Sequence, residues 1–165
     1  MKSNYKKLGD YIRLVDERNT DGSVTRLLGV SIEKKFIESI ANTIGTDMSI
    51  YKIVRKGQFA YGPVTSRNGD KVSIALLEEE KCIISSSYSV FEIINTKELF
   101  KRPEFDRYAR FHSHGSAREI FDWEEMCNVE LPVPEIEEQR KIVEAYNTIE
   151  RRIALKRKIN DNLAA

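Results

Sequence analysis

The step Leu131-Pro132-Val133-Pro134 constrains this chain more than any other feature, because it opens onto a long segment without a helix breaker. Residues 135–163 contain neither glycine nor proline and are rich in Glu, Lys, Arg, Ile and Ala. Two prolines fix an extended approach. Pro134 then stands just ahead of Glu135-Ile136-Glu137-Glu138, and acidic residues in a first turn suit the helix dipole. Lys156-Arg157-Lys158 suit it again near the far end. At 1.5 Å per residue the helix spans about 43 Å, longer than a small domain needs for itself. Its apolar residues advance in steps dominated by three and four. They predict a seam for a partner helix through Ile142, Tyr146, Ile149, Ile153, Ile159 and Leu163. Lys156 and Asn160 interrupt one register of that seam, and a polar seam position selects one pairing over its alternatives. The other possibility is a helix folded back on its own domain.

Ahead of the step the patterns are mixed, so the chain divides into a domain over 1–132 and a helix over 133–165. Short runs of β-formers alternate with turn residues. They are Val24–Ile32, Met48–Val54, Gln58–Tyr61, Lys71–Leu77, Cys82–Ile84 and Tyr88–Ile94. Arg55-Lys56-Gly57 and Gly62-Pro63 punctuate them, and Asn68-Gly69 within Arg67–Asp70 predicts a hairpin tip. Lys71–Leu77 leaves that tip in alternation. Two helices are expected, Glu98–Ala109 (broken near its start by Pro103) and Asp122–Cys127, with Asp122 as N-cap and Glu125 three residues on. The fold class is α+β: a twisted, mainly antiparallel sheet with short helices, followed by one long C-terminal helix.

Composition excludes several functions. A chain of 165 residues, 41% hydrophobic, folds as one domain with a real core. Its net charge of +1 is not that of a bulk polyanion binder, so charge has to be read locally. No apolar run reaches about 18 residues, and Met1–Lys7 does not open a signal peptide, so a cytoplasmic protein without membrane contact is expected. Cys82 and Cys127 read as small buried hydrophobes in a reducing compartment. Neither a Gly-x-Gly-x-x-Gly nor a P-loop is present, and no cofactor is implied. His112-x-His114 has no third and fourth ligand at suitable spacing, so no metal site is expected. Trp123, Tyr146, Phe59 and Phe91 lie in apolar patterns and read as packing residues.

The string from Trp123 to Val143 carries a family resemblance. A tryptophan with acidic neighbours leads into a short apolar strand, then the apolar-Pro-apolar-Pro step, then Glu138-Gln139 and a long helix with Ile142, Ile149 and Ile153 in place. This order resembles the boundary between a target-recognition domain and its spacer helix in the specificity subunits of type I restriction–modification systems. Lys7-Leu8-Gly9-Asp10-Tyr11-Ile12 resembles the opening of such a domain, Glu17-Arg18-Asn19 recurs in a subset, and Tyr51–Tyr61 resembles its central strand pair and turn. A complete subunit of that family holds two recognition domains and two spacers. This chain holds one of each, without internal repeat, and so resembles a half subunit, whether naturally short or a fragment.

The resemblance implies a non-catalytic protein that reads double-stranded DNA and directs separate methyltransferase and restriction subunits to a bipartite site. It implies antiparallel pairing of the long helix with a second copy or another half subunit. A spacer of about 43 Å modestly exceeds one DNA turn of about 34–36 Å, so two domains at its ends could meet one face of a duplex. Base reading needs donors on loops. One candidate segment holds Arg67, Asn68 and Lys71; another runs from Arg107 to Arg118 and holds Arg110, His112, His114, Ser116 and Arg118. Between Lys97 and Arg118 six basic residues face three acidic ones. Arg18 and Asn19 form a weaker third candidate, since Glu17–Gly22 reads equally well as a plain turn. Two other functions compete: an adaptor that dimerises without reading DNA, and a small metal-dependent nuclease using His112 and His114.

Overall fold

The computed structural model describes residues 5–39, 45–66, 68, 71–94, 103–113 and 119–163. Contacts divide the chain into a larger unit, Lys6–Leu131, and a second made mainly of Pro132–Ala165. The strands of the described chain are β1 (Tyr5–Lys7), β2 (Ile12–Val15), β3 (Leu28–Val30), β4 (Phe36–Glu38), β5 (Lys52–Arg55), β6 (Gln58–Tyr61), β7 (Ile74–Leu76), β8 (Lys81–Ile84), β9 (Ser89–Ile93) and β10 (Glu130–Pro132). The helices are α1 (Pro103–His112), α2 (Trp123–Asn128) and α3 (Ile136–Leu163).

A four-stranded sheet in the order β2-β9-β6-β7 lies at the centre of the larger unit, and its pairs are antiparallel. Its inner strand β6 is covered on both faces, so Gln58-Phe59-Ala60-Tyr61 is buried at all four positions, whereas the edge strand β2 leaves Arg13 and Leu14 exposed. Alternate side chains enter different clusters. Phe59 and Tyr61 join Leu8, Ile12, Ile74, Phe91, Phe105, Phe121 and Met126. Ala60 joins Leu28, Val54, Leu77, Cys82, Ile84 and Val90. The first cluster seats α1 and α2 on the sheet; the second seats β3, β5 and β8. Each fully buried Phe or Leu contributes about 1.5–3 kcal/mol relative to exposure. Around the sheet lie the two-stranded pairs β3–β4, β5–β8 and β1–β10.

Several local expectations are revised. Val24–Ile32 yields only β3; Val24 instead packs with Ile53 and Ile83 in a third cluster. Met48–Ile50 forms a 3-10 turn capped by the Asp47 carboxylate, which accepts from Ser49 N at 2.9 Å, so the strand begins at Lys52. β5 and β6 are joined by a tight turn with Gly57 at φ +87, yet they pair with different strands. β6 and β7 pair antiparallel and their connection runs from Gly62 to Ser73; of the hairpin tip expected at Arg67–Asp70 only Asn68 is among the described residues. Val72, Ser73, Ile74 and Ala75 are all buried, because both faces of the sheet are covered there and alternation no longer separates inside from outside. The first helix begins at Pro103, where a missing N–H leaves no bond unmade, and runs to His112; residues 98–102 lie outside the described residues. The Asp122 cap is as expected, its carboxylate accepting from Glu125 N at 2.9 Å.

The long helix α3 has 28 residues. Gln139 Nε2 reaches back to Pro134 O at 2.6 Å and ties its first turn to the proline step. Among the described residues no helix is long and apolar enough to cross a membrane.

Candidate nucleic-acid interface

Three segments of the larger unit are tied together beside β7. The connection between β6 and β7 is closed at its base by Gly62 N donating to Ser73 O at 2.9 Å. Thr65, 2% exposed, donates to Glu119 O from its backbone N at 2.8 Å and from its hydroxyl at 3.2 Å. Phe121 N donates to Pro63 O at 2.8 Å, with a bridge at Val64 and Ile120. The third tie comes from the turn between β3 and β4, where Lys34 adopts φ +61. Its ammonium donates to Asp106 Oδ1 of α1 at 2.5 Å and to Val72 O at 3.0 Å, while Asp106 Oδ1 also accepts from Val72 N at 3.0 Å. The two side chains are 18% and 16% exposed. Burial lowers the Lys34 pKa, opposed by its Asp106 partner. One mostly buried ion pair thus joins a hairpin tip, the β6–β7 connection and α1.

Helix α1 presents three kinds of face. Phe105 and Ala109 enter the core. Tyr108 and His112, one turn apart, face α2. Their rings stack at 4.1 Å, Tyr108 OH donates to Asn128 O at 3.3 Å, and His112 Nδ1 lies 3.3 Å from a Glu125 carboxylate oxygen. Arg107, Arg110 and Phe111 are exposed. Arg110 forms an ion pair with Glu119, which links α1 to the segment that also holds Thr65.

Of the residues expected to contact DNA, Arg67, His114, Ser116 and Arg118 lie outside the described residues. Lys71 is exposed, with its ammonium 3.1 Å from Glu33. Asn68 is half-buried and organises its own loop, donating from Nδ2 to Val64 O at 3.3 Å and to Ser73 Oγ at 3.1 Å. Arg110 is exposed beside Glu119, and His112 is half-buried against Glu125 and Tyr108. The 16–19 segment is elsewhere, running along β5. Arg18 donates to Ile50 O at 2.8 Å and to Asp16 at 3.0 Å. Asn19 is corrected: it is 1% exposed, donating to Val24 O at 3.0 Å and accepting from Val24 N at 3.1 Å, so its amide holds a turn together and offers nothing to a groove. Gly22 at φ +64 completes that turn. Sequence reasoning missed Lys34, Asp106 and Thr65, whose partners are far away in the chain, and Phe111, whose exposure only the fold reveals.

On α3 the seam residues Ile142, Ile149, Ile153 and Ile159 are 39%, 57%, 39% and 47% exposed. Tyr146 is half-buried, and the Leu163 side chain lies outside the described residues. At 3.6 residues per turn Ile142, Tyr146, Ile149 and Ile153 share an arc of about 60°, whereas Ile159 stands about 100° away from Ile142.

One solved structure shares this architecture. A chain from a structural study of complex assembly and conformational transition in the type I R-M system is similar, with a TM-score of 0.56 at 15% identity over 92% of this chain and 39% of that one. The HsdS subunit from Thermoanaerobacter tengcongensis gives a TM-score of 0.49 at 16% identity, over 92% of this chain and 38% of that one. This chain therefore spans about two fifths of the length of either, and at such identities the likeness concerns the fold. No curated protein matches in sequence. Residues 7–165 match the family described as Type I restriction modification DNA specificity domain, a description of recognition rather than catalysis. The chain belongs to that family of type I restriction–modification DNA specificity domains.

Proposed function

We propose that this chain is the DNA-reading half of a type I specificity subunit, directing separate methyltransferase and restriction subunits to a bipartite site. The observation that carries the reading is the family match over 7–165, which takes in both the sheet domain and the long helix. Charge and exposure on the larger unit support it. Arg107, Arg110 and Lys71 are exposed, and α1 is fastened to the β6–β7 connection through Lys34 and Asp106. Arg67, His114, Ser116 and Arg118, close in sequence to these, supply further donors for base edges or phosphates.

In this reading α3 pairs antiparallel with an equivalent helix, from a second copy or another half subunit. The exposed arc of Ile142, Ile149 and Ile153 supports such a seam, since water-exposed isoleucines one or two turns apart gain by mutual burial. A homodimer would read a two-fold symmetric, interrupted target. The methyltransferase subunit would assemble on the same protein, and methyl transfer and cleavage would belong to other chains.

Light scattering followed by selection from a random duplex pool at moderate salt tests the whole scheme. A dimer that enriches a two-part symmetric motif, with affinity falling as salt rises, is the expected result. A dimer that enriches nothing, alone or with a methyltransferase subunit, would make the chain an adaptor and remove the DNA roles from the residues above.

A further inference from the structure

Phe111 is 85% exposed, more than any other large hydrophobic side chain among the described residues; Leu155 is next at 59%. It is not a frayed core residue. The inward positions of α1 are filled by Phe105 and Ala109, and Tyr108 and His112 close the side toward α2. Phe111 lies one turn from Arg107 on the remaining side of the helix, Arg110 stands about 100° round from it, and its ring meets the His112 ring edge-on at 5.2 Å. Glu119 neutralises Arg110 only through an exposed ion pair, and such pairs are weak enough for a phosphate to replace the carboxylate.

We infer that Phe111 makes an apolar contact with the bases of a duplex while Arg107 and Arg110 hold the flanking phosphates. An aromatic ring beside guanidinium groups suits nucleic acid on two counts. The cations supply attraction to the backbone, and the ring supplies contact with a thymine methyl or a base face that water cannot replace. Ring and arginines then act through different physics: the arginine contacts release counterions and depend steeply on salt, and the Phe111 contact does not. The inference rests on the DNA-reading function proposed above and adds to it a residue that sequence alone did not single out.

The test measures binding of the wild-type chain, Phe111→Ala, Phe111→Trp and Arg107→Ala to the duplex enriched from the random pool and to a scrambled duplex of equal length, across a series of salt concentrations. Phe111→Ala is expected to weaken the enriched duplex about tenfold, with the slope of log affinity against log salt unchanged. Phe111→Trp should keep most of the affinity, and Arg107→Ala should flatten the slope by about one. Thermal midpoints should match the wild type, because the ring is exposed; a lowered midpoint for Phe111→Ala would mean that the ring packs on the fold, and would overturn the inference. So would wild-type affinity in Phe111→Ala, or unchanged duplex affinity with loss of the methyltransferase subunit, which would make Phe111 a protein-docking residue. If the wild-type chain enriches no sequence, the recognition function itself fails and this contact fails with it. If the wild type enriches a motif and Phe111→Ala binds it equally well, only the Phe111 contact is lost.

Discussion

Asn19 looks from the sequence like a surface donor and is in fact a buried tie. Replacing it by Ala leaves Val24 N and Val24 O without their partner inside a loop that is closed to water. A loss of about 1–3 kcal/mol is expected, read by urea unfolding. At Lys34 the expectation is similar in size for a different reason. Lys34→Met removes the ammonium from a mostly buried pair and leaves the Asp106 carboxylate with Val72 N alone, at a cost of about 1–3 kcal/mol in the same measurement. Glu17 gives a pH-dependent case. The Arg55 guanidinium, at 2.6 and 2.9 Å, lowers the Glu17 pKa below its ordinary 4.5. A depressed carboxylate pKa stabilises the folded state above the unfolded value, and that stabilisation disappears as pH falls through the folded one. Arg55→Ala should therefore lower stability at neutral pH and leave it little changed in strong acid, the gap between variant and wild type closing as pH falls below about 4.5, as read by urea unfolding across pH. Residues of this kind were legible only where the partner is close in sequence. The Asp122 cap spans three residues and could be read directly. Lys34 could not, because its partner is 72 residues away.

At the scale of elements, the opening Lys7-Leu8-Gly9-Asp10 gains a physical reason. A Cβ on Gly9 would stand 3.0 Å from Cys127 Cβ and 3.1 Å from Cys127 O, so the turn at Leu8–Asp10 lies directly on α2 and only hydrogen fits between them. Gly9→Ala should cost about 1–3 kcal/mol by forcing those two elements apart, visible as a lower thermal midpoint. Strands carried by strong apolar runs, β6, β8 and β9, were legible in the sequence. β4, Phe-Ile-Glu at the end of a charged turn, was not, because three residues set no period. The Asn68-Gly69 pair, of which Gly69 lies outside the described residues, belongs to a connection whose ends are held by the register of Tyr61 with Ile74. Cys82 was read correctly as a small hydrophobe; burial pushes its thiol up to about 12, and it is expected to remain unmodified by thiol reagents until the protein unfolds.

For the molecule as a whole, the length of α3 was the plainest feature of the sequence, because helix formers without glycine or proline are counted locally. What it pairs with is not a local property. If the seam reading holds, Ile149→Glu together with Ile153→Glu should convert a dimer to a monomer in light scattering while leaving the circular dichroism of the sheet domain unchanged; a dimer that persists would move the interface elsewhere. The strand pair β1–β10 carries a last consequence. The chain enters the larger unit on one of these strands and leaves it on the other, and neighbouring strands lie only about 5 Å apart. Everything between them is a closed excursion that returns to its starting point. An excursion of any other length that closed on the same two strands would leave their ends side by side, as a loop of any size leaves the two ends of its knot together.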